Sequence, residues 1–265
     1  MDRRAPAAAG ALDVRGHLGP FVLPVDEPSL TPELIRERNA WLSQRLRQAA
    51  ERAGRDPDAF RIVAVTKGFG IEVVRMAVEA GLHLIGENRV QEALPKVAAV
   101  PAAEWHLIGH LQSNKVRAAI GAFSWVHSVD DLSLLLRLEA IAHDTERRPE
   151  LLLQVNLSNE PTKSGFDANW FALQAAGQGE LVATIQTMRH ARVRGLMTMA
   201  GAGAGEDEAR VAFRRLRELR DDLETSLGEA LPELSMGMTA DADAAVSEGA
   251  TLVRIGTALF GPRPD

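Results

Sequence analysis

The sequence predicts an α/β fold, a single-domain (β/α)₈ TIM barrel with an extra N-terminal helix, and three observations carry that prediction. Between residues 61 and 256 eight short apolar runs each give way to a segment of helical periodicity. The first run, Ile62-Val63-Ala64-Val65-Thr66, has no solvent-facing alternation, as expected of a parallel strand covered on both faces. After the eighth run only a few residues follow, which leaves nothing for a second domain. An open doubly wound sheet of the same units is the competing arrangement.

Residues 1–30 carry Ala, Gly and Pro without period and read as a loosely ordered extension; the barrel is expected over 31–263. Thr31 can cap a helix and Pro32 suits its first turn. Leu34, Ile35, Trp41, Leu42, Leu46 and Ala49 then recur at helical spacing up to Gly54. Strand 61–66 precedes helix 71–80, which stops at Gly81. Strand 82–86 leads into a helix near 88–99, kinked or broken at Pro95. Strand 104–108 precedes helix 112–120, and strand 123–128 precedes helix 130–144. Strand 151–156 is followed by a polar loop with Lys163-Ser164-Gly165 and by helical sequence to about 189. Strand 192–199 leads through a glycine loop to helix 206–226, strand 233–238 to helix 240–248, and strand 251–256 to the closing Leu259-Phe260-Gly261.

Lys67 ends the first strand, where Gly68 and Gly70 open a loop. An ammonium there must reach water, pair with an acid, or lose its charge. Desolvation favours the neutral amine, which is a nucleophile for aldehydes and forms Schiff bases. A snorkelling surface lysine is the plain alternative. Composition bears on the choice: of 30 basic residues only Lys67, Lys96, Lys115 and Lys163 are lysine, leaving 26 arginines. A position that keeps lysine in such a background is expected to need what arginine cannot do, which is deprotonate and attack a carbonyl.

The net charge of -6 argues against a nucleic-acid or membrane-surface partner. The absence of cysteine removes disulfides and thiolate chemistry and fits a reducing compartment. No apolar run is long enough to span a bilayer and the N-terminus lacks a signal h-region, so the cytoplasm is the expected location.

In a TIM barrel the loops after strands seven and eight commonly hold phosphate. Here they are Met236-Gly237-Met238-Thr239 and Arg254-Ile255-Gly256-Thr257, each offering small residues, backbone N–H groups and a hydroxyl. Arg254, among the apolar residues of strand eight, must be either ion-paired to a barrel acid such as Glu87 or aimed at a ligand. His106 with His110, and Asp241 with Asp243, have a superficial metal-site spacing. A strand end does not converge imidazoles four apart, and the aspartates read as first-turn residues of a helix, so no metal is expected. The stretch 201–205 lacks the last glycine of a dinucleotide loop and reads as a turn.

Laid out in order, these segments resemble the family of pyridoxal phosphate homeostasis proteins, single-domain relatives of the alanine racemase N-terminal barrel. The resemblance covers about 32–263. It rests on Ala64-Val65-Thr66-Lys67, Gly86-Glu87-Asn88-Arg89-Val90-Gln91-Glu92, Trp105-His106-Leu107-Ile108-Gly109, Leu111-Gln112-Ser113-Asn114-Lys115, Lys163-Ser164-Gly165, Arg194-Gly195-Leu196-Met197, Ser235-Met236-Gly237-Met238-Thr239 and Val253 to Gly261. It implies that Lys67 carries pyridoxal 5′-phosphate as a Schiff base and that Arg254 faces the pyridine nitrogen. It also implies that Thr239, Gly237, Gly256 and Thr257 hold the phosphate and that Asn88 walls the ring. Gly68-Phe69-Gly70 departs from the usual run after the lysine, and His110 stands where many relatives have proline; both bear on the mouth of the site.

An arginine at the pyridine nitrogen leaves that nitrogen unprotonated and weakens the ring as an electron sink. Related racemases compensate with a tyrosine from a second domain, and this chain contains no tyrosine. The expectation is a protein that binds, buffers and delivers pyridoxal phosphate with little or no amino-acid turnover, acting as a monomer, with apo enzymes as recipients and Lys115 and Lys163 as possible relays. The competing readings are a racemase-like enzyme using the cofactor, or a cofactor-free Schiff-base aldolase.

Overall fold

Eight parallel strands hydrogen-bond side by side in chain order, and the first pairs with the last to close the ring. The computed structural model describes residues 29–158, 164–177, 179–201, 203 and 205–263. The predicted extension, but for residues 29 and 30, and Lys163 lie outside them. The strands are β1 Arg61–Val65, β2 Leu84–Glu87, β3 Glu104–Leu107, β4 Trp125–Val129, β5 Glu150–Asn156, β6 Arg192–Met197, β7 Glu233–Ser235 and β8 Leu252–Ile255. A two-residue strand, Phe166–Asp167, is added beside the end of β5. Closure is in register from Arg61 opposite Leu252 to Ala64 opposite Ile255. The open doubly wound sheet is thereby excluded.

The helices are α1 Pro32–Arg52, α2 Ile71–Glu79, α3 Val90–Ala99, α4 Val116–Ala122, α5 Leu132–Asp144, α6 Ala168–Ala175, α7 Glu180–Thr187, α8 Glu206–Leu227, α9 Ala242–Glu248 and α10 Thr257–Phe260. None among the described residues is long and apolar enough to cross a membrane. Thr31 caps α1, its Oγ1 accepting from Leu34 N at 3.2 Å. This helix packs on α9 and α10. Its buried Arg38 donates to Leu259 O at 3.1 Å, and Arg45 pairs with Asp243 at 2.7 Å. Asp243 is therefore tied to α1.

Two departures have simple causes. Helix α3 runs on through Pro95. Pro95, the sixth residue of the helix, cannot donate back to the Gln91 carbonyl, so the helix continues at the cost of one backbone hydrogen bond next to its first turn. Helix 112–120 begins later than its apolar spacing suggests, because Ser113–Lys115 winds as a 3₁₀ turn before α4.

Period-two alternation sorts the strands between two cores. Outward residues such as Ile62, Ala64, Ile85, Trp105, Leu107, Val253 and Ile255 pack under the helices in the main core. The lumen holds a much smaller apolar cluster of Val63, Trp125, Leu152, Met197 and Leu252. The same parity turns Val63, Val65 and Lys67 inward while Thr66 and Glu87 face α3. There Lys96 Nζ reaches Glu87 Oε1 at 2.7 Å and Thr66 O at 3.1 Å, and Thr66 Oγ1 donates to the same carboxylate oxygen at 2.6 Å. The residue before Lys67 is clamped from outside the barrel.

Candidate functional site

A cavity of about 510 Å³ opens at the C-terminal ends of the strands, and Lys67 lines it. Strand alternation aims the side chain inward. A turn closed by Phe69 N to Thr66 O at 3.1 Å, with Phe69 edge-on to Phe260, fixes the loop behind it. No carboxylate among the described residues pairs with Lys67. Burial, and then the neighbouring guanidiniums of Arg263 and Arg254, pull its pKa below the ordinary lysine value. The amine is thus kept nucleophilic by surroundings that disfavour its charge.

Arg254 is buried on the lumen face of β8. It donates from Nη1 to Ser235 Oγ at 2.7 Å and from Nη2 to Thr198 O at 2.9 Å. Burial lowers its pKa to about 10 against the opposing charge of Asp241, which leaves it cationic at neutral pH. The ion pair to Glu87 does not form, because Glu87 points out of the barrel to Lys96 while Arg254 points in. Of the two readings of Arg254, the ligand-facing one agrees with its place in the cavity wall.

The other predicted positions gather at the same opening. Asn88, Thr239, Gly256 and Thr257 all line it. Gly237 does not; it lies one step behind the wall, where its carbonyl accepts from Arg254 N at 3.0 Å. Its φ of +88° and the 2.4 Å that a Cβ would leave to the Ala245 Cβ make it a turn residue that swings Met238 and Thr239 over the cavity. Gly109 has a comparable duty at the opposite rim. A Cβ there would stand 2.3 Å from Asn88 O, so only glycine lets the loops after β2 and β3 meet.

Several wall residues escaped the sequence reading. Arg263 lies against Gly68 and adds a second guanidinium beside Lys67 and Arg254; in an arginine-rich chain nothing marked it. Gln154, Ser164, Met199, Met238 and Ile108 complete the wall, with Gln154 Nε2 holding Ser164 O at 2.7 Å. His110 stands at the rim, its Nδ1 2.9 Å from Asp130 Oδ2. It does not meet His106, which lies inside the barrel 2.9 Å from His127. Asp241 Oδ1 accepts from Met238 N at 2.6 Å, a loop contact. Lys115, in the 3₁₀ turn, is not part of the wall.

Two guanidiniums facing one cavity in a chain of net charge -6 mark a site for an anionic ligand. The loops after β7 and β8 add hydroxyls and first-turn N–H groups to that preference. A single desolvated lysine among them adds capture of a carbonyl.

The alanine racemase N-terminal domain family matches residues 40–264. A pyridoxal phosphate homeostasis protein of Pseudomonas aeruginosa is 43% identical over 237 residues, covering 86% of this chain and 96% of that one. One from Aquifex aeolicus is 38% identical over 229 residues, covering 86% and 97%. Among solved structures, PipY of Synechococcus elongatus with pyridoxal phosphate bound superposes with a TM-score of 0.75 at 37% identity, over 86% of this chain and all of that one. Alanine racemase of Clostridium difficile, at 14% identity and a TM-score of 0.63, shares the fold over 57% of its own length.

Proposed function

The chain belongs to the pyridoxal phosphate homeostasis proteins, a branch of the alanine racemase N-terminal domain family, and from that membership we propose the working of its site. It binds pyridoxal 5′-phosphate and serves its homeostasis, and the cavity at the C-terminal ends of the strands is where we place the cofactor. The observation that carries the proposal is Lys67: inward-facing, without an acid partner among the described residues, and held toward the neutral amine by burial and two guanidiniums. These residues fit the group. Bound there, pyridoxal phosphate supplies an aldehyde that captures amines reversibly, and its phosphate supplies the anion that the cavity favours.

Lys67 Nζ would hold the aldehyde covalently, releasing water as it does so and freed again by hydrolysis. Thr239, Gly256 and Thr257 receive the phosphate through hydroxyl and backbone N–H donors, with Arg263 adding charge. Arg254 would face the pyridine nitrogen, and as a guanidinium that only donates it would favour the unprotonated form of that nitrogen. Asn88 borders the ring. No tyrosine exists in this chain to take and return an α-proton. We infer a carrier that holds and releases its ligand, with apo enzymes as recipients, in place of an amino-acid enzyme.

The absorption spectrum of the purified protein tests this. A visible band that borohydride bleaches, and that Lys67→Ala removes, is expected. Exchange of the α-proton of amino acids in deuterated water should not exceed that of free pyridoxal phosphate. A colourless protein that borohydride traps only with a ketose phosphate would overturn the reading in favour of an aldolase.

A further inference from the structure

The barrel lumen contains a line of polar groups that the ligand site does not require. Arg254 Nη1 reaches Ser235 Oγ at 2.7 Å, and Ser235 Oγ lies 2.9 Å from His127 Nδ1. His127 Nε2 lies 2.9 Å from His106 Nδ1. His106 Nε2 ends the line 3.3 Å from Glu104 Oε1, a close contact that is not aligned as a hydrogen bond, and Nε2 has no hydrogen-bond partner among the described residues. Ser235, His127 and His106 are fully buried, whereas the side chain of Glu104, at the opposite end of the barrel, is 43% exposed. The imidazole of His106 stacks on Trp125 at an interplanar angle of 4°.

The protons in this line can be placed by elimination. A guanidinium only donates, so Ser235 accepts from Arg254 and has one proton left to give. If that proton goes to His127 Nδ1, His127 carries its own on Nε2 and donates to His106 Nδ1. His106 then carries its proton on Nε2, facing Glu104. The reversed order would set a bare imidazole lone pair against a carboxylate, two acceptors in contact with no proton between them. Burial keeps both imidazoles neutral, and the nearby His106 ring holds the Glu104 carboxyl below the usual range. Arg61, Glu233 and Glu150 surround that end, and their mixed charges leave the anion of Glu104 as the terminus.

We propose that Ser235, His127 and His106 form a one-directional hydrogen-bond relay, biased by the nearby Glu104 carboxylate, that fixes the orientation of Arg254, making Ser235 and His127 positioning residues for the bound ring. The relay is a property of the folded chain alone; its effect on the ring rests on the pyridoxal phosphate reading above. Cooperative polarisation along such a line strengthens each bond in a dry interior.

The relay itself is tested without cofactor. Long-range ¹H–¹⁵N correlation spectra of the ¹⁵N-histidine-labelled, ligand-free protein should show His106 and His127 both as neutral Nε2–H tautomers at pH 7. An Nδ1–H tautomer or an imidazolium at either position would overturn the proposal. In Glu104→Ala, a change at a half-exposed side chain that leaves folding intact by circular dichroism, His106 should begin to exchange between tautomers; an unchanged Nε2–H signal would overturn it. In the loaded protein, Ser235→Ala should weaken retention of pyridoxal phosphate about tenfold and shift the visible band. Glu104→Ala, remote from the cavity, should move the band in the same direction with a smaller loss, about threefold. An effect of Ser235→Ala with none from Glu104→Ala would show a local contact in place of a relay.

Discussion

Mild acid should destabilise this protein well before its carboxylates titrate, because two imidazoles are locked neutral inside the barrel. His106 and His127 are fully buried, and burial drives the pKa of each below the ordinary histidine value, that of His127 far below. The unfolded chain has no such restraint and takes up both protons as the pH falls through about 6.5. Below that pH the unfolded state binds more protons than the folded state, so stability falls as acid is added and continues to fall down to the depressed native values. With native uptake small at His127, that imidazole costs about 1.2 kcal/mol between pH 7 and pH 5.5, and His106 adds a smaller cost of the same sign. Glu104 and Glu139, whose surroundings hold their carboxyls low, lose their contributions only in stronger acid. Glu150, raised by burial, works in the opposite sense. Equilibrium urea unfolding at the two pH values measures the difference. With a slope of about 3 kcal/mol per molar, the midpoint should drop by at least about 0.4 M. A midpoint that stays in place would refute the assignment of both rings as neutral.

Lys67→Met should abolish borohydride trapping while leaving the thermal midpoint unchanged or slightly higher, because it removes a half-buried ammonium that two guanidiniums repel. Lys96→Met strands the carboxylate of Glu87, which is 0% exposed, and should cost about 3–5 kcal/mol by chemical denaturation. The double variant with Glu87→Leu should recover most of that loss. Gly109→Ala forces a Cβ into Asn88 O and should lower both the melting temperature and the retention of ligand, by about 1–3 kcal/mol of stability; an unchanged melting temperature would contradict the close approach of the two loops.

The barrel was legible because its outer face obeys a simple rule: strands that pack under helices are apolar, and each is punctuated by a helix. Lys67 was legible because it interrupts such a run in a chain that otherwise chooses arginine. The pairing of Arg254 with Glu87 was plausible from composition and wrong by parity. Counting alternately from either end of β2 and β8 puts the two side chains on opposite faces of the sheet. The lumen was the least legible region. His106, His127 and Ser235 alternate with the outward apolar residues Trp105, Leu107, Val126 and Leu234, a pattern that suggests a half-exposed surface and gives no sign of a dry channel. Arg263 carried no local signal, since only the closing of the ring brings residue 263 beside residue 67. Strand ends ran shorter than their apolar segments where the chain turns early, as at Gly237 after the three residues of β7.

The ring closes by joining β1 to β8, and this sets a condition on biosynthesis. A nascent polypeptide that has emerged only to residue 250 holds its lysine on a strand with an open edge and lacks the last arginine-bearing strand altogether. Pairings so distant in sequence form late and slowly. The half-made chain would thus have little grip on a reactive aldehyde, and capture would begin only once translation is almost finished.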